Sequence, residues 1–136
     1  MMPDDRRNSG SEVRSIAYSP DGNTIATADE YVRLWNAITG RYLRTLASGT
    51  SVSSVAFSPD GKIVAGGGNG TYDEEDSGAV YLWNLQTGKL IRKMTNLNSY
   101  VSSVTFSPVG NILAGASSDI WLRSTKNLSL LQKSKP

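Results

Sequence analysis

Residues 15–22 read Ser-Ile-Ala-Tyr-Ser-Pro-Asp-Gly, and the same phrase returns as Ser-Val-Ala-Phe-Ser-Pro-Asp-Gly at 54–61 and as Ser-Val-Thr-Phe-Ser-Pro-Val-Gly at 103–110. A repeat of this kind indicates a fold built from stacked copies of one structural unit. Pro20 and Pro59 are 39 positions apart, and Pro59 and Pro108 are 49 apart. The unit is therefore about 39 or 40 residues long, and the middle copy contains an insertion of nine residues.

Each copy is predicted to form four short β-strands. In the first copy, 13–19 alternates with a period of two, and Pro20-Asp21-Gly22 has the residues of a turn. The second, third and fourth strands are predicted at 24–28, 31–36 and 41–46. No segment shows the 3.6-residue apolar spacing of a helix. The sequence therefore predicts an all-β fold of three four-stranded antiparallel sheets.

Composition narrows the possible functions. The chain has 136 residues, a length typical of one soluble domain, and its net charge of +2 gives no reason to expect a nucleic-acid or membrane partner. It contains no Cys and no His, which excludes disulfides, thiol nucleophiles, Cys/His zinc sites and histidine bases. The polar N-terminus has no apolar signal segment. We therefore expect a cytoplasmic protein without a cofactor or a metal.

The order of three motifs resembles the WD-repeat β-propeller family. A Val-x-Leu-Trp strand at 32–35 and 80–83 and a Thr-Gly turn at 39–40 and 87–88 follow the repeated phrase. The resemblance covers residues 13 to about 133. It implies that each unit is one propeller blade, a four-stranded antiparallel sheet.

The same resemblance divides the chain. It implies three blades at about 13–47, 52–95 and 101–133. The polar segment 1–12 is predicted to be a disordered N-terminal segment, because termini without apolar anchors fray. Residues 134–136 are predicted to be a mobile C-terminal tail.

The chain departs from the family at its hallmark residues. The Asp of the tryptophan–aspartate dipeptide is replaced by Asn36 and Asn84, and the family's His is missing throughout. In the family that His joins a buried tetrad with a Ser or Thr, an Asp and the Trp. The resemblance carries over only Trp35, Trp83 and Asp29.

The third copy diverges most. Counting from Pro108, Arg123 occupies the position of the hallmark tryptophan, and Trp121 lies two residues earlier. Residues two apart on a strand share one face. One hypothesis is that the ring has moved along the strand while its face stays buried, with Arg123 stacked on an aromatic ring. The alternative is simple decay of a terminal repeat.

Three blades are too few for a ring. Closed propellers have roughly 4 to 8 blades, and an open arc would leave the outer faces of the first and third blades in water. Head-to-tail association of two copies would give six blades, so a homodimer is the expected assembly. The alternative is that the chain is part of a longer propeller.

The insertion of the second copy carries the candidate binding residues. The ends of the strands form two rims of the propeller. We expect the turns of the repeated phrase and the Thr-Gly turns on one rim. The inter-blade links and the insertion are then expected on the other rim. Its acidic stretch with one aromatic residue is Tyr72, Asp73, Glu74, Glu75 and Asp76. It could receive a Lys- or Arg-rich peptide, supply oxygen ligands to Ca²⁺, or be a solvated loop with no partner.

No arrangement typical of an enzyme is present. Adjacent carboxylates lack the separate environments that acid–base catalysis needs, and the serine pairs have no histidine partner. The sequence predicts a non-catalytic protein-interaction scaffold that binds a protein or peptide and assembles by self-association. The alternatives are a fragment of a larger WD-repeat protein and a propeller that binds a small molecule or Ca²⁺.

Overall fold

The computed structural model describes residues 12–46, 51–69, 77–97 and 99–134. The predicted disordered segment 1–12 lies outside these ranges except for Glu12, and the predicted tail 134–136 does so except for Ser134. Within the described ranges the chain forms β-strands and no helix, so the all-β prediction is confirmed. In this part of the chain there is accordingly no helix that could cross a membrane.

The described residues contain twelve strands, which form three four-stranded antiparallel sheets, each built from strands that are consecutive in sequence. We call these sheets the first, second and third blades. The strands are β1 (Ser15–Tyr18), β2 (Thr24–Ala28), β3 (Val32–Asn36), β4 (Tyr42–Leu46), β5 (Val52–Phe57), β6 (Ile63–Asn69), β7 (Gly78–Asn84), β8 (Leu90–Leu97), β9 (Ser103–Phe106), β10 (Ile112–Ala116), β11 (Ile120–Ser124) and β12 (Leu130–Ser134). β8 and β12 extend slightly beyond the predicted blade limits.

The repeated phrase forms the first strand of each blade and the turn after it. The Ser19 hydroxyl donates to the Asp21 carboxylate over 2.6 Å, and Gly22 adopts a φ of 77°, which favours glycine. Ser58 donates to Asp60 in the same way over 2.7 Å. These serine hydroxyls are the main reason that the pKa of both carboxyl groups is lowered.

The third and fourth strands of every blade shift register at the same place. The irregularity falls between residues 34 and 35, between 82 and 83, and between 122 and 123. Each site is where the family's tryptophan is expected. The backbone therefore repeats in the third blade even though the side chain there is an arginine.

The blades stack face to face and enclose two apolar cores. The first core lies between the first and second blades and contains Val32, Leu34, Val55 and Trp83 among others. The second lies between the second and third blades. β5 packs against β1 and β2, and β9 packs against β5 and β6. Among the described residues, the second blade is thus the one that a neighbouring blade covers on both faces.

Backbone hydrogen bonds define the two rims. On the first rim, the Ala37 amide donates to the Asn23 carbonyl over 2.9 Å and joins the β1–β2 and β3–β4 turns. On the second rim, the inter-blade links contact the end of the preceding blade's second strand. The Val52 amide donates to the Asp29 carbonyl over 3.3 Å, and the Val101 amide donates to the Gly68 carbonyl over 3.1 Å.

Candidate functional site

The acidic stretch lies outside the described residues; it comprises Tyr72, Asp73, Glu74, Glu75 and Asp76. The strands that lead into it are described. A Cβ on Gly68 would collide with the Ser51 carbonyl oxygen, and a Cβ on Gly78 would collide with that of Ser99. These glycines therefore let the second blade approach both inter-blade links closely. The insertion begins and ends on the second rim, between the two links.

Asp29 forms a buried ion pair on the first blade. Its Oδ2 lies 3.0 Å from Arg33 Nη1, and both side chains are buried. Its Oδ1 accepts the Tyr31 amide over 2.8 Å, and the Arg33 guanidinium lies 5.4 Å from the centre of the Tyr31 ring. Asp29 therefore has an arginine partner in a chain that lacks the family's histidine.

Trp35 is buried and hydrogen-bonded. Its Nε1 donates to Thr27 Oγ1 over 2.9 Å, and its ring contacts Tyr42 edge to face at 5.5 Å. Thr27 thus supplies the hydroxyl partner that sequence reasoning missed. The available signal was its position, since Thr27 lies near the end of β2, two residues before Asp29, and alternate residues of an extended chain point to the same side.

Trp83 is fully buried in the first core. Its ring stacks on Tyr81 at 5.5 Å with an angle of 18° between the planes. Gly66 lies opposite Tyr81, and a Cβ there would come within 2.9 Å of the Trp83 ring. The second blade therefore accommodates two aromatic rings on one face because its second strand is glycine at this point.

Trp121 occupies the position held by Tyr81 in the second blade. It is 4% exposed, compared with 7% for Trp35, and it lies opposite Gly115. A Cβ on Gly115 would overlap the indole ring. The Arg123 guanidinium lies 5.4 Å from the centre of this ring, and desolvation lowers the pKa of Arg123. The Trp121 ring therefore covers Gly115, and the Arg123 guanidinium stacks on the ring.

Leu128 completes this site. Arg123 Nη1 donates to the Leu128 carbonyl over 2.8 Å. Leu128 lies where the first two blades have Gly40 and Gly88, and it keeps a positive φ of 61°. Such a φ is unfavourable for leucine, but the side chain is buried in the second core. In the third blade, the turn before the fourth strand therefore contributes a leucine side chain to the core.

The predicted hallmark residues belong to three separate places. Trp83 and Trp121 face the first and second cores, whereas Trp35 and Arg33 lie on the face of β3 that points away from the second blade. They are structural residues of three sheets and do not form one site. Among the described residues, no cluster of three or more acidic, histidine or cysteine side chains could hold a metal ion.

We call the first blade's face that points away from the second blade the leading face. Its members are Ile16, Tyr18, Ile25, Thr27, Arg33 and Trp35. At the β1 edge, Ile16 is 63% and Tyr18 is 65% exposed. Val55 and Val104, which take the place of Ile16 in the other blades, are only 5% exposed. The leading face is therefore open along β1.

We call the third blade's face that points away from the second blade the trailing face. Its members are Ser103, Thr105, Ala114, Ala116, Ile120 and Leu122. Ile120 is 49% exposed, while Val32 and Val80, its counterparts in the other blades, are fully buried. A shallow, mainly apolar groove of about 230 Å³ runs over this face between β9 and β11. The trailing face is thus a mainly apolar sheet surface in water.

The sequence pattern of the WD40 repeat (WD domain, G-beta repeat) matches residues 6–36, 40–84 and 88–122. The second and third matches begin just before the fourth strand of one blade and end within the third strand of the next. The pattern therefore crosses blade boundaries. No curated protein matches this chain in sequence.

Solved structures share the fold. The RRP9 WD40 repeats align over 96% of this chain with a TM-score of 0.82 and 18% identity, and U3-55K aligns equally well at 18% identity. Kuenenia stuttgartiensis hydrazine synthase aligns over 89% with a TM-score of 0.76 and 19% identity. The alignments cover only 40%, 41% and 35% of those chains, respectively. This chain thus spans about two fifths of the length of the structures that it resembles.

Proposed function

The chain belongs to the WD40 repeat family, and on that premise we propose that it is a non-catalytic interaction scaffold that closes head to tail into a ring. Two chains supply six blades, which is within the roughly 4 to 8 blades of known propellers. The trailing face of each chain meets the leading face of the other. Such a heterologous contact forms a closed ring when the rotation between subunits fits.

The observation that carries this proposal is the match between the trailing face and the buried faces of the other blades. Ile120 and Leu122 repeat Val32 and Leu34 of the first blade in kind and in register. Ala114 and Ala116 likewise repeat alanines of β2 that are fully buried. A face with this composition covers a neighbouring blade at both junctions within the chain.

The β1 edge of the leading face is the complementary surface. At the junctions within the chain, the first strand of one blade packs against the first and second strands of the preceding one. Val55 and Val104 are buried in this way. Ile16 and Tyr18 are the exposed counterparts that a third blade would cover. Burial of exposed apolar groups contributes roughly 25 cal/mol per Å² and favours association.

The experiment is the solution mass by light scattering over a dilution series. A mass of twice 14.6 kDa is expected. Ile120→Lys places an unpaired charge in the junction and is expected to give monomers, while Ile38→Lys, at an exposed turn residue, leaves the mass unchanged. A mass of three chains would mean nine blades and contradict the six-blade ring.

A second candidate is that further blades of a longer polypeptide cover the two faces. It is favoured by the greater length of the structures that share the fold. In that case the chain described here remains monomeric at all concentrations. A mass of one chain, unaltered by Ile120→Lys, would support this candidate and contradict the homodimer.

The proposed partner is a protein or peptide in the cytoplasm that docks on the second rim. The acidic insertion begins and ends on this rim, and its four carboxylates suit a Lys-rich segment. Titration with an oligolysine peptide tests this idea. Changing residues 73–76 to serine is expected to abolish binding, whereas Glu12→Ser, which removes one exposed carboxylate elsewhere, leaves it unchanged. Equal binding by both variants would contradict docking at the insertion.

The scaffold is proposed to be non-catalytic and to bind neither nucleic acid nor membrane. Two of the serine hydroxyls that sequence analysis considered have structural partners: Ser54 accepts a backbone amide of the next blade, and Ser102 donates to a carbonyl of its own blade. The net charge of +2 provides little attraction to polyanions. Purified protein should therefore show no salt-dependent binding to DNA or RNA in a mobility-shift assay.

A further inference from the structure

The serine that opens the repeated phrase has the same place in every blade. Ser15, Ser54 and Ser103 each begin or nearly begin the first strand, and their register partners on the second strand are Ala28, Gly67 and Ala116. All three hydroxyls point to the side of the sheet that faces the following blade or, for Ser103, the trailing face. They are equivalent positions at three successive junctions.

Two of these serines bind across a junction. Ser15 Oγ accepts the backbone amide of Val55 over 3.2 Å. Ser54 Oγ accepts the backbone amide of Val104 over 3.1 Å. In each case the acceptor is the phrase serine of one blade, and the donor is the residue after the phrase serine in the next. The same hydrogen bond therefore forms, between equivalent residues, at both junctions within the chain.

At the two open faces, one serine and one amide of this series have no neighbouring blade within the described part of the chain: the Ser103 hydroxyl and the Ile16 amide. Ser103 is exposed and lines the groove of the trailing face. Ile16 is the residue after Ser15, and its side chain is exposed at the β1 edge of the leading face. The Val55 and Val104 amides are already bound by Ser15 and Ser54. The Ile16 amide is therefore the equivalent donor that a second copy can offer to Ser103.

We infer that the groove of the trailing face is occupied by β1 of a second copy, with the Ile16 amide donating to Ser103 Oγ. This inference rests on the proposed head-to-tail ring and fixes its register. β1 of the second copy then packs on β9 and β10, as β5 packs on β1 and β2. The Ile16 side chain enters the space between Thr105 and Ala114, where the groove is mainly apolar.

Disulfide trapping tests this register, because the chain contains no cysteine of its own. One batch of the full chain carries Ile16→Cys and a second carries Ser103→Cys, and the two are mixed and oxidised. Both positions are exposed, so neither change threatens the fold. The geometric control is Ser54→Cys with Val104→Cys in one chain, which should form an internal disulfide at the equivalent place. Mixed dimers joined by one disulfide are expected on non-reducing gels.

A hydrogen-bond variant provides the second readout. Ser103→Ala is expected to raise the Kd of the dimer about fourfold to a hundredfold, because the ring contains two junctions and each lost bond changes the equilibrium roughly two- to tenfold. Ser102→Ala is the matched control. The Ser102 hydroxyl is also exposed, but it donates to the Ala116 carbonyl of its own blade. Its removal should leave the Kd within about twofold.

The outcomes separate the inference from the proposal on which it rests. If the wild-type protein is a dimer and the internal control closes, but the mixed batches do not cross-link, the register is wrong and the ring can stand. If disulfides form only between like chains, the contact is symmetric, and both the register and the head-to-tail ring are wrong. A wild-type monomer overturns the homodimeric ring and the inference together.

Discussion

The first and third blades carry the same two side-chain types in opposite order. In the first, Arg33 precedes Trp35, and the ring donates a hydrogen bond to Thr27. In the third, the tryptophan comes first and Arg123 follows it, stacked on the ring. Both strands keep the same register with their neighbours. Each blade thus carries one ring and one guanidinium on one face of its third strand, but in opposite order.

The residue on the second strand that lies opposite the earlier of the two positions explains the difference. Opposite Arg33, β2 carries the side chain of Thr27, whereas opposite Trp121, β10 has Gly115, which the indole ring covers. A tryptophan at the earlier position therefore requires glycine on the second strand. The position of the ring is thus set by a pair of residues on two strands and cannot be inferred from the third strand alone.

The strongest test of the comparison is Trp121→Ala. If the displaced ring is a core residue and not a decayed remnant, its loss should lower the free energy of unfolding by about 3–5 kcal/mol. Unfolding in urea measures the change. Ile38→Ala, at an exposed residue of the first rim, should change it by less than about 0.5 kcal/mol. Similar effects for both variants would mean that Trp121 contributes nothing beyond a surface residue.

Gly115→Ala tests the requirement for glycine directly. The added methyl group overlaps the Trp121 ring, so overpacking should cost about 1–3 kcal/mol. Gly66→Ala is the matched variant in the second blade, where the new Cβ would be about 2.9 Å from the Trp83 ring, and it should cost less. The same urea titrations apply. A cost that is greater at Gly66 than at Gly115 would contradict the account of the ring's position.

The fold follows from the sequence because each strand is bounded by local chemistry. The serine–aspartate hydrogen bonds and the left-handed glycine of the turns act between residues close in the chain, so a repeated phrase is enough to place them. The alternation of apolar residues then assigns each strand's two faces. The three four-stranded sheets were predictable for that reason.

The hallmark sites were predictable only in part, because their partners are set by which residues meet across the pairing of the second and third strands. Trp35 and Asp29 could be taken from the family pattern, but Arg33 as the partner of Asp29 could not. Gly115 reads as one small residue among several until its register with Trp121 is known. Leu128 in a left-handed conformation contradicts the usual preference for glycine. Such pairings depend on register between strands, which the sequence pattern does not contain.

Thr27→Val tests the tryptophan site of the first blade. The substitution keeps the shape of the side chain but removes the acceptor of the Trp35 indole, so the free energy of unfolding should fall by about 1 kcal/mol. Thr24→Val, on the same strand but half-buried, is the control and should have a smaller effect. Near-ultraviolet circular dichroism should report the change at the indole. An unaltered indole signal and stability would mean that the hydrogen bond to Thr27 does not hold the ring.

The smallest expected effect concerns the turn after the first strand. The first blade has Asp21 there, bound by the Ser19 hydroxyl, whereas the third blade has the exposed Val109. Val109→Asp should restore the hydrogen bond from Ser107 and raise the free energy of unfolding by about 0.5 kcal/mol, since exposed pairs contribute little. The control is Val109→Asn, which has the same shape but no charge.

The pH dependence of this gain follows from the sign of the pKa shift. The serine hydroxyl lowers the pKa of Asp21 and Asp60 in the folded state, and the new carboxyl group should behave in the same way. The gain is then complete above the unfolded pKa of about 3.9 and disappears as the pH falls through the lower folded value. Unfolding at pH 7 should therefore separate Val109→Asp from Val109→Asn, and unfolding near pH 2 should not. A gain that persists at low pH would instead assign the stabilisation to the removal of an exposed valine.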